Sequence, residues 1–350
     1  MKIGVYTIAL NEEQFVETWY NSAKEADYLL IADTGSTDNT IKKAKDLGIN
    51  VISIGISPWR FDTARNASLA ALPMDLDFCI ALDMDETLQE GWRSELEGLL
   101  ESGVTRPRYQ YTWSWKEDGT PGLQYGGDKI HARKGYVWKH PVHEVIIADR
   151  IDEVQGWCSL EIHHHPDMTK PRSSYLPLLA LSVKEDPHDD RNAYYYAREL
   201  YFYGRLAEAA KEFRRHLDLP AAVWRPERAA SMRYLAKCDP ENAEKWLMAA
   251  TIEDGSRREG WVDLANHYYS KADWKRCYTA STTALEITEK PLDYLCEEFA
   301  WGSLPWDLAA ISAHHLSEHV NEALSFGTMA LGLDPTNERL ANNLVFYKGK

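Results

Sequence analysis

The chain reads as an α/β domain with a mainly parallel sheet, followed by an all-α domain of helical repeats. Three observations predict this. In the first half, short apolar runs alternate with helical patterns, and a β-α-β-α order implies parallel strands covered by helices. The polar motifs of that half fall at the C-terminal ends of the expected strands, where such sheets hold ligands. In the second half, helical composition persists to the end, and small residues recur every 34 positions.

Taken in order, Ile3–Leu10 is the first strand and Glu13–Ala26, with Phe15, Trp19 and Ala23 at helical spacing, the first helix. Tyr28–Ala32 is a second strand, Thr40–Leu47 a short helix, and Val51–Ile54 a third strand. Thr63–Leu72 is helical and Phe78–Leu82 a fourth strand. From Tyr109 to His165 the chain turns aromatic and irregular, which predicts antiparallel strands and loops. Pro166–Ser174 marks the expected boundary, giving domains 1–172 and 173–350. Beyond it, Ala209, Ala243 and Cys277 follow turns at steps of 34, and a fourth unit at Ala323 requires an insertion, which Pro291–Pro305 supplies. A step of 34 with a small residue after the turn resembles the tetratricopeptide repeat, although Cys277 and Trp246 depart from its pattern.

Composition narrows the function. With 44% hydrophobic and 27% charged residues the chain is globular, and no apolar run approaches the ~20 residues of a membrane span. The run after Lys2 is too short for a signal peptide. Cys79, Cys158, Cys238, Cys277 and Cys296 are odd in number and widely spaced, as expected of reduced thiols in a cytoplasmic protein. A net charge of −15 argues against coating nucleic acid, whose affinity comes from Lys and Arg on phosphates.

The chemistry concentrates in three stretches. Asp83-Met84-Asp85-Glu86 follows a buried strand. In extended chain its two aspartates project the same way, and paired carboxylates suit Mg²⁺ or Mn²⁺ with phosphate oxygens completing the shell. Asp33-Thr34-Gly35-Ser36-Thr37-Asp38-Asn39-Thr40 combines a glycine turn with a helix cap and leaves Asp33 free at a strand end to accept from a base or ribose. Asn11-Glu12-Glu13 opens the first helix. Read blandly, each is an ordinary strand–turn–helix connection.

Together with Ala9-Leu10 and Trp59-Arg60-Phe61-Asp62-Thr63-Ala64-Arg65-Asn66, these stretches resemble the signatures of family 2 glycosyltransferases with the GT-A fold, over roughly the first 165 residues. A subgroup of that family carries C-terminal tetratricopeptide-like repeats. The resemblance implies that Thr7, Ala9, Asn11, Glu12 and Asp33 hold the nucleoside of a nucleoside-diphosphate sugar, UDP-linked, and that Arg65 approaches the base or diphosphate. It implies that Asp83 touches the ribose or a metal-bound water and Asp85 ligates Mn²⁺ or Mg²⁺. A further ligand would come from His163-His164-His165, where His163 and His165 share a face and His164 points opposite. Glu144 of Val142-His143-Glu144, or alternatively Asp128 after Gly126-Gly127, would be the base of an inverting transfer. The acceptor would be a protein, peptide, glycan or modified nucleobase, presented by the repeats, which could also pair two copies of the chain. Two other classes compete, a non-catalytic repeat adaptor and an enzyme glycosylating a modified DNA base. The intact Asp83 and Asp85 argue against the first and the acidic charge against the second.

Overall fold

The computed structural model describes residues 1–100, 102–167 and 175–348. It divides into two compact units, Met1–Ser182 and Val183–Lys350. The expected boundary at 172 lies outside the described residues.

The first unit is built on a sheet of order β3-β2-β1-β4-β8. Its members are β1 (Ile3–Ala9), β2 (Tyr28–Asp33), β3 (Asn50–Ser53), β4 (Phe78–Ala81) and, farther along, β8 (Ile130–Ala132). The first four are parallel and β8 closes the edge antiparallel to β4. The connections are α1 (Val16–Ala23), α2 (Thr40–Asp46) and α3 (Phe61–Ala70). Successive side chains point to opposite faces, so Val5, Ile31 and Ile80 join Trp19 of α1 on one side. Tyr6, Leu30, Cys79 and Ala81 pack on the other with Leu69 and Leu72. Both faces are apolar, which is why these strands read as continuous hydrophobic runs. Trp19 is fully buried, and its Nε1 donates to the Leu82 carbonyl at 3.0 Å, tying α1 to the end of β4.

A second sheet, of order β5-β11-β6-β7, comprises β5 (Glu86–Leu88), β6 (Arg106–Thr112), β7 (Gln124–Gly127) and β11 (Gln155–His164). Helix α4 (Trp92–Leu100) follows β5, and β9 (Tyr136–Lys139) pairs with β10 (Val145–Ala148). The expectation of antiparallel strands over 109–165 holds for β6 with β7, β9 with β10 and β11 with β5, but β11 lies parallel to β6. The long excursion between β6 and β11 returns the chain to the same end of the sheet, so the two strands run alike.

Helix α5 (Tyr175–Glu185) spans the division between the units. The second unit is all-α: α6 (Asp190–Phe202), α7 (Leu206–Asp218), α8 (Arg225–Cys238), α9 (Ala243–Glu253), α10 (Arg258–Ser270), α11 (Trp274–Glu286), α12 (Leu304–His315), α13 (Val320–Leu333) and α14 (Glu338–Lys348). Each helix packs on the next, and α6, α8, α10 and α12 also touch in series, forming an inner row. Ala209, Ala243, Cys277 and Ala323 each lie buried in the second helix of a hairpin, where a small side chain lets two helices approach. A mainly parallel α/β unit followed by stacked helical hairpins is the architecture the resemblance implies. No helix among the described residues is long and apolar enough to cross a membrane, and the five cysteines are unpaired.

Candidate functional site

The site gathers where β4 ends. Asp83 follows the strand and Glu86 opens β5, and between them the chain turns: the Glu86 amide donates to the Asp83 carbonyl at 3.0 Å. The extended geometry expected for Asp83-Met84-Asp85 is therefore replaced by a tight turn, and the two aspartates take separate partners.

Asp83 sits between two cations. Its Oδ1 accepts from Arg65 Nη2 at 2.7 Å and its Oδ2 from Lys129 Nζ at 2.6 Å. Lys129 also donates to Glu86 at 2.8 Å, and the other Glu86 oxygen accepts from the Asp83 amide at 2.8 Å. Tyr111 donates its hydroxyl to Glu86 at 2.6 Å. Arg65 spends its Nε on Glu144 and lies 5.0 Å from the centre of the Trp138 ring. Burial alone would raise the Asp83 carboxyl, but Arg65 and Lys129 outweigh it and hold the group well below the usual carboxylate range. Burial likewise works against Arg65 and Lys129, and their carboxylate partners push both upward, so Arg65, Lys129 and Asp83 are charged throughout the physiological range. The Arg65 Nη1 is sealed from solvent and has no hydrogen-bond partner among the described residues.

Asp85 lies on the other side of the turn. Its Oδ2 is 3.4 Å from His164 Nε2, and its carbonyl accepts the His165 amide at 2.7 Å. The register of β11 against β5 sets this contact, for His164 stands opposite Glu86 and His163 opposite Thr87. His164 is buried, its ring stacked 4.4 Å from that of Trp113. His164 Nδ1 is 3.0 Å from the Trp113 carbonyl, an acceptor only, so Nδ1 carries the proton and a neutral ring aims a lone pair from Nε2 at Asp85. The other two histidines turn elsewhere. His163 pairs with Glu161 at 3.0 Å, and His165 stacks on Trp115 with Nε2 3.3 Å from the Thr87 hydroxyl.

The nucleoside residues expected from the motifs line the ends of β1 and β2. Asp33 is not left free, because its Oδ2 accepts the Gly35 and Ser36 amides at 2.9 and 3.1 Å and the side chain is buried. The turn that Gly35 makes with φ +117° wraps those amides around the carboxylate. Asn11, at φ +55°, accepts the Thr37 amide at 2.8 Å and so ties the first loop to the second. The Glu12 amide donates to the Thr40 hydroxyl at 2.8 Å. Thr7 and Ala9 are buried within β1, the Thr7 hydroxyl donating to the Ile8 carbonyl, so both support the site from beneath rather than through their side chains. Of the two base candidates, Glu144 joins the central network through Arg65. Asp128 pairs with Arg106 at 3.1 Å instead, and its neighbour Lys129 is the residue that reaches Asp83. Lys129 and Tyr111 belonged to no motif, and Glu86 entered only as the last residue of Asp83-Met84-Asp85-Glu86, with no role of its own.

For a divalent cation the donor set fits. A carboxylate and an imidazole whose proton is committed elsewhere face each other at 3.4 Å, a separation open to two ligands of one ion at about 2.1 Å each. Asp83, held by two cations, is a charge neighbour of that position. No group of three or more ligating side chains occurs among the described residues, so the remaining coordination positions would fall to water and phosphate oxygens, as Mg²⁺ sites commonly arrange.

No family model matches the chain. It is 30% identical over 102 residues to an uncharacterized glycosyltransferase of Rickettsia typhi, covering 29% of this chain and 34% of the relative. It is 31% identical over 102 residues to one of Rickettsia bellii, covering 29% and 33%. The match thus spans about a third of the length of these curated relatives. Among solved structures, glucosyl-3-phosphoglycerate synthase from Mycobacterium tuberculosis, in complex with Mn²⁺, UDP and glucosyl-3-phosphoglycerate, is 28% identical over 31% of this chain and 44% of its own, at a TM-score of 0.27. YrrB, a TPR protein with an unusual peptide-binding site, is 13% identical over 49% of this chain and 82% of its own, at a TM-score of 0.39. A 102-residue stretch of this chain is thus similar in sequence to glycosyltransferases, the class its motifs resemble.

Proposed function

We propose that the chain is a metal-dependent glycosyltransferase that moves a sugar from a nucleoside diphosphate, UDP by the resemblance, to a nucleophilic acceptor with inversion. The observation that carries this reading is the pair of Asp85 and His164, whose facing oxygen and nitrogen both lack a proton between them when the imidazole is neutral. Asp85 and His164 would hold Mn²⁺ or Mg²⁺, which when bound supplies positive charge to the departing diphosphate.

The protein's own residues divide the remaining work. The crevice at the ends of β1 and β2, framed by Asn11, Glu12 and the Asp33 turn, receives the nucleoside. Asp33 organises the backbone there, and its Oδ1, engaged among the described residues by the Ser36 amide alone at 3.3 Å, keeps acceptor capacity for a donor on the base or ribose. Arg65 fixes Asp83 through Nη2 and Glu144 through Nε and so sets both carboxylates at the site. Glu144 is the base: Arg65 grips its Oε1, which orients Oε2 to take the acceptor's proton during attack. Single displacement needs no covalent nucleophile.

A panel of UDP-sugars incubated with the full chain and Mn²⁺, with UDP release followed by mass spectrometry, tests the reading. Turnover of one donor, lost with Asp85→Ala, is the expected result. Release that is equal in the Asp85→Ala variant would overturn it.

A further inference from the structure

A cavity of about 310 Å³ opens in the first unit between the C-terminal half of α3 and the turn from β8 to β9. It lies away from the site at the end of β4. β8 runs antiparallel to β4 with Ala132 opposite Phe78, and the Arg133 amide donates to the Asp77 carbonyl at 2.9 Å, so the turn sits at the end of β4 opposite Asp83. Arg133 and Lys134 line the cavity from that turn. Arg133 is only 8% exposed. Its Nε donates to the Pro73 carbonyl at 3.0 Å, and its Nη2 to the Leu72 carbonyl at 2.8 Å and to Met74 Sδ at 3.3 Å. A cation beside the carbonyls that follow a helix complements its dipole, which accounts for these two nitrogens. It does not account for Nη1, which has no partner among the described residues and is not sealed from solvent.

The charge balance around this cavity departs from that of the rest of the unit. Every other described arginine of the first unit pairs with a carboxylate. Arg133 and Lys134 pair with none among the described residues, although acidic residues outnumber basic ones by 54 to 39 in the chain. Two neighbouring cations lining one cavity repel each other unless an anion joins them. The rest of the lining is apolar or already engaged. Leu69, Ala70 and Met74 supply its apolar side. Asn66 spends its amide on the Trp138 backbone, donating to the carbonyl at 2.8 Å and accepting from the amide at 2.9 Å. The Tyr136 hydroxyl is 3.0 Å from that of Thr105. A polyhydroxylated body would find few partners here, whereas an apolar body covers the apolar side without stranding a polar group. We propose that the cavity binds a phosphate monoester with an apolar body. Its dianionic head lies between Arg133 Nη1 and the Lys134 ammonium, and its body rests against Leu69, Ala70 and Met74. A phosphate matches two positive charges better than a carboxylate does, since it carries close to two negative ones. The site is separate from the proposed transfer and does not depend on it.

The test is isothermal titration calorimetry of the full chain with phenyl phosphate, without divalent cations and at about pH 8, where the head is a dianion. Phenyl phosphate should bind about fivefold or more tightly than inorganic phosphate or glucose 6-phosphate, which share the head and lack the apolar body. Arg133→Met should weaken phenyl phosphate by about tenfold or more, the loss expected of a charge-assisted hydrogen bond. Lys134→Met should weaken it by about threefold, the scale of an exposed ion pair. Ala70→Phe fills the apolar side and leaves both cations, so it should weaken phenyl phosphate and leave inorganic phosphate unchanged. Should Arg133→Met fail to fold for want of its carbonyl contacts, Lys134→Met and Ala70→Phe carry the test, since both positions are exposed. Equal affinity for phenyl phosphate and inorganic phosphate would overturn the apolar body, and tighter binding of benzoate than of phenyl phosphate would overturn the phosphate head. Absence of phenyl phosphate binding to the wild type, or wild-type affinity in any folded variant of the three, would overturn the proposal.

Discussion

His164 faces Asp85 across 3.4 Å with its only neutral-state proton turned away to the Trp113 carbonyl. Two acceptors so placed repel unless a proton or a cation joins them. Burial opposes protonation of the ring, yet Asp85 and the Trp113 carbonyl prevail and raise the imidazole above its ordinary value, so in the absence of a cation a proton fills that role.

Exchange of His164 for glutamine should weaken Mn²⁺ binding in the presence of UDP by about tenfold or more, the scale on which metal sites respond to altered surroundings. The same exchange at His163 or His165 should leave it unchanged, since they bond Glu161 and Thr87. Electron paramagnetic resonance of free Mn²⁺ distinguishes the three variants. An equal loss at His163 would place the ligand on the other face of β11.

Arg65 joins Asp83 to Glu144 from a side chain only 7% exposed. Arg65→Met should destabilise the first unit by about 3 kcal/mol, because two carboxylates lose the charge that balances them. Lysine at this position should not restore the loss, lacking the fork that serves both partners. Urea melts of the three proteins check this.

His131 gives the protein an acid limb. It is buried, its Nδ1 donating to the Ala132 carbonyl at 2.8 Å and its Nε2 accepting from Tyr6, which accepts in turn from Trp138 Nε1 at 2.8 Å. Burial lowers the ring from 6.5 to about 3. A depressed folded value means that the unfolded chain takes up a proton first as pH falls. The contribution is therefore fully present above about 6.5 and is lost progressively toward 3, at up to about 1.4 kcal/mol per pH unit. His131→Gln should show a flatter fall in stability over that window, measured by denaturant midpoints at several pH values.

Gly127 lies against the ring of the fully buried Tyr109, where a Cβ would overlap it. Gly127→Ala should cost about 1–3 kcal/mol, the usual penalty of overpacking. It should also disturb Lys129, whose amide donates to the Tyr109 hydroxyl at 3.4 Å. A melting temperature equal to wild type would mean that the β7 end is free to shift.

Much of the fold was legible because the strands of the first sheet are apolar on both faces and the repeats place a small residue at each helix contact. Ala209, Ala243, Cys277 and Ala323 are all buried. The parallel pairing of β6 and β11 was not, since alternation in a strand says nothing of its neighbour's direction. The choice among the three histidines was equally hidden. Period two gives two phases, and it is the pairing of His164 with Glu86 that sets His164 rather than its neighbours beside Asp85. Asp83 and Asp85 read as a convergent pair on the assumption of extended chain, which the turn closed by the Glu86 amide removes. Lys129 lay unmarked, and its pairing with Glu86 was hidden, because a lone charge in sequence has no pattern until the fold gives it a partner.

In the proposed transfer, nucleotide and metal meet at Asp85. Isothermal titration calorimetry of the full chain with UDP, in the presence and absence of Mn²⁺, tests it most directly. Tight binding that requires Mn²⁺ and disappears in Asp85→Asn, with the variant's melting temperature unchanged, is the result predicted. UDP binding of equal strength without Mn²⁺, or in Asp85→Asn, would contradict it.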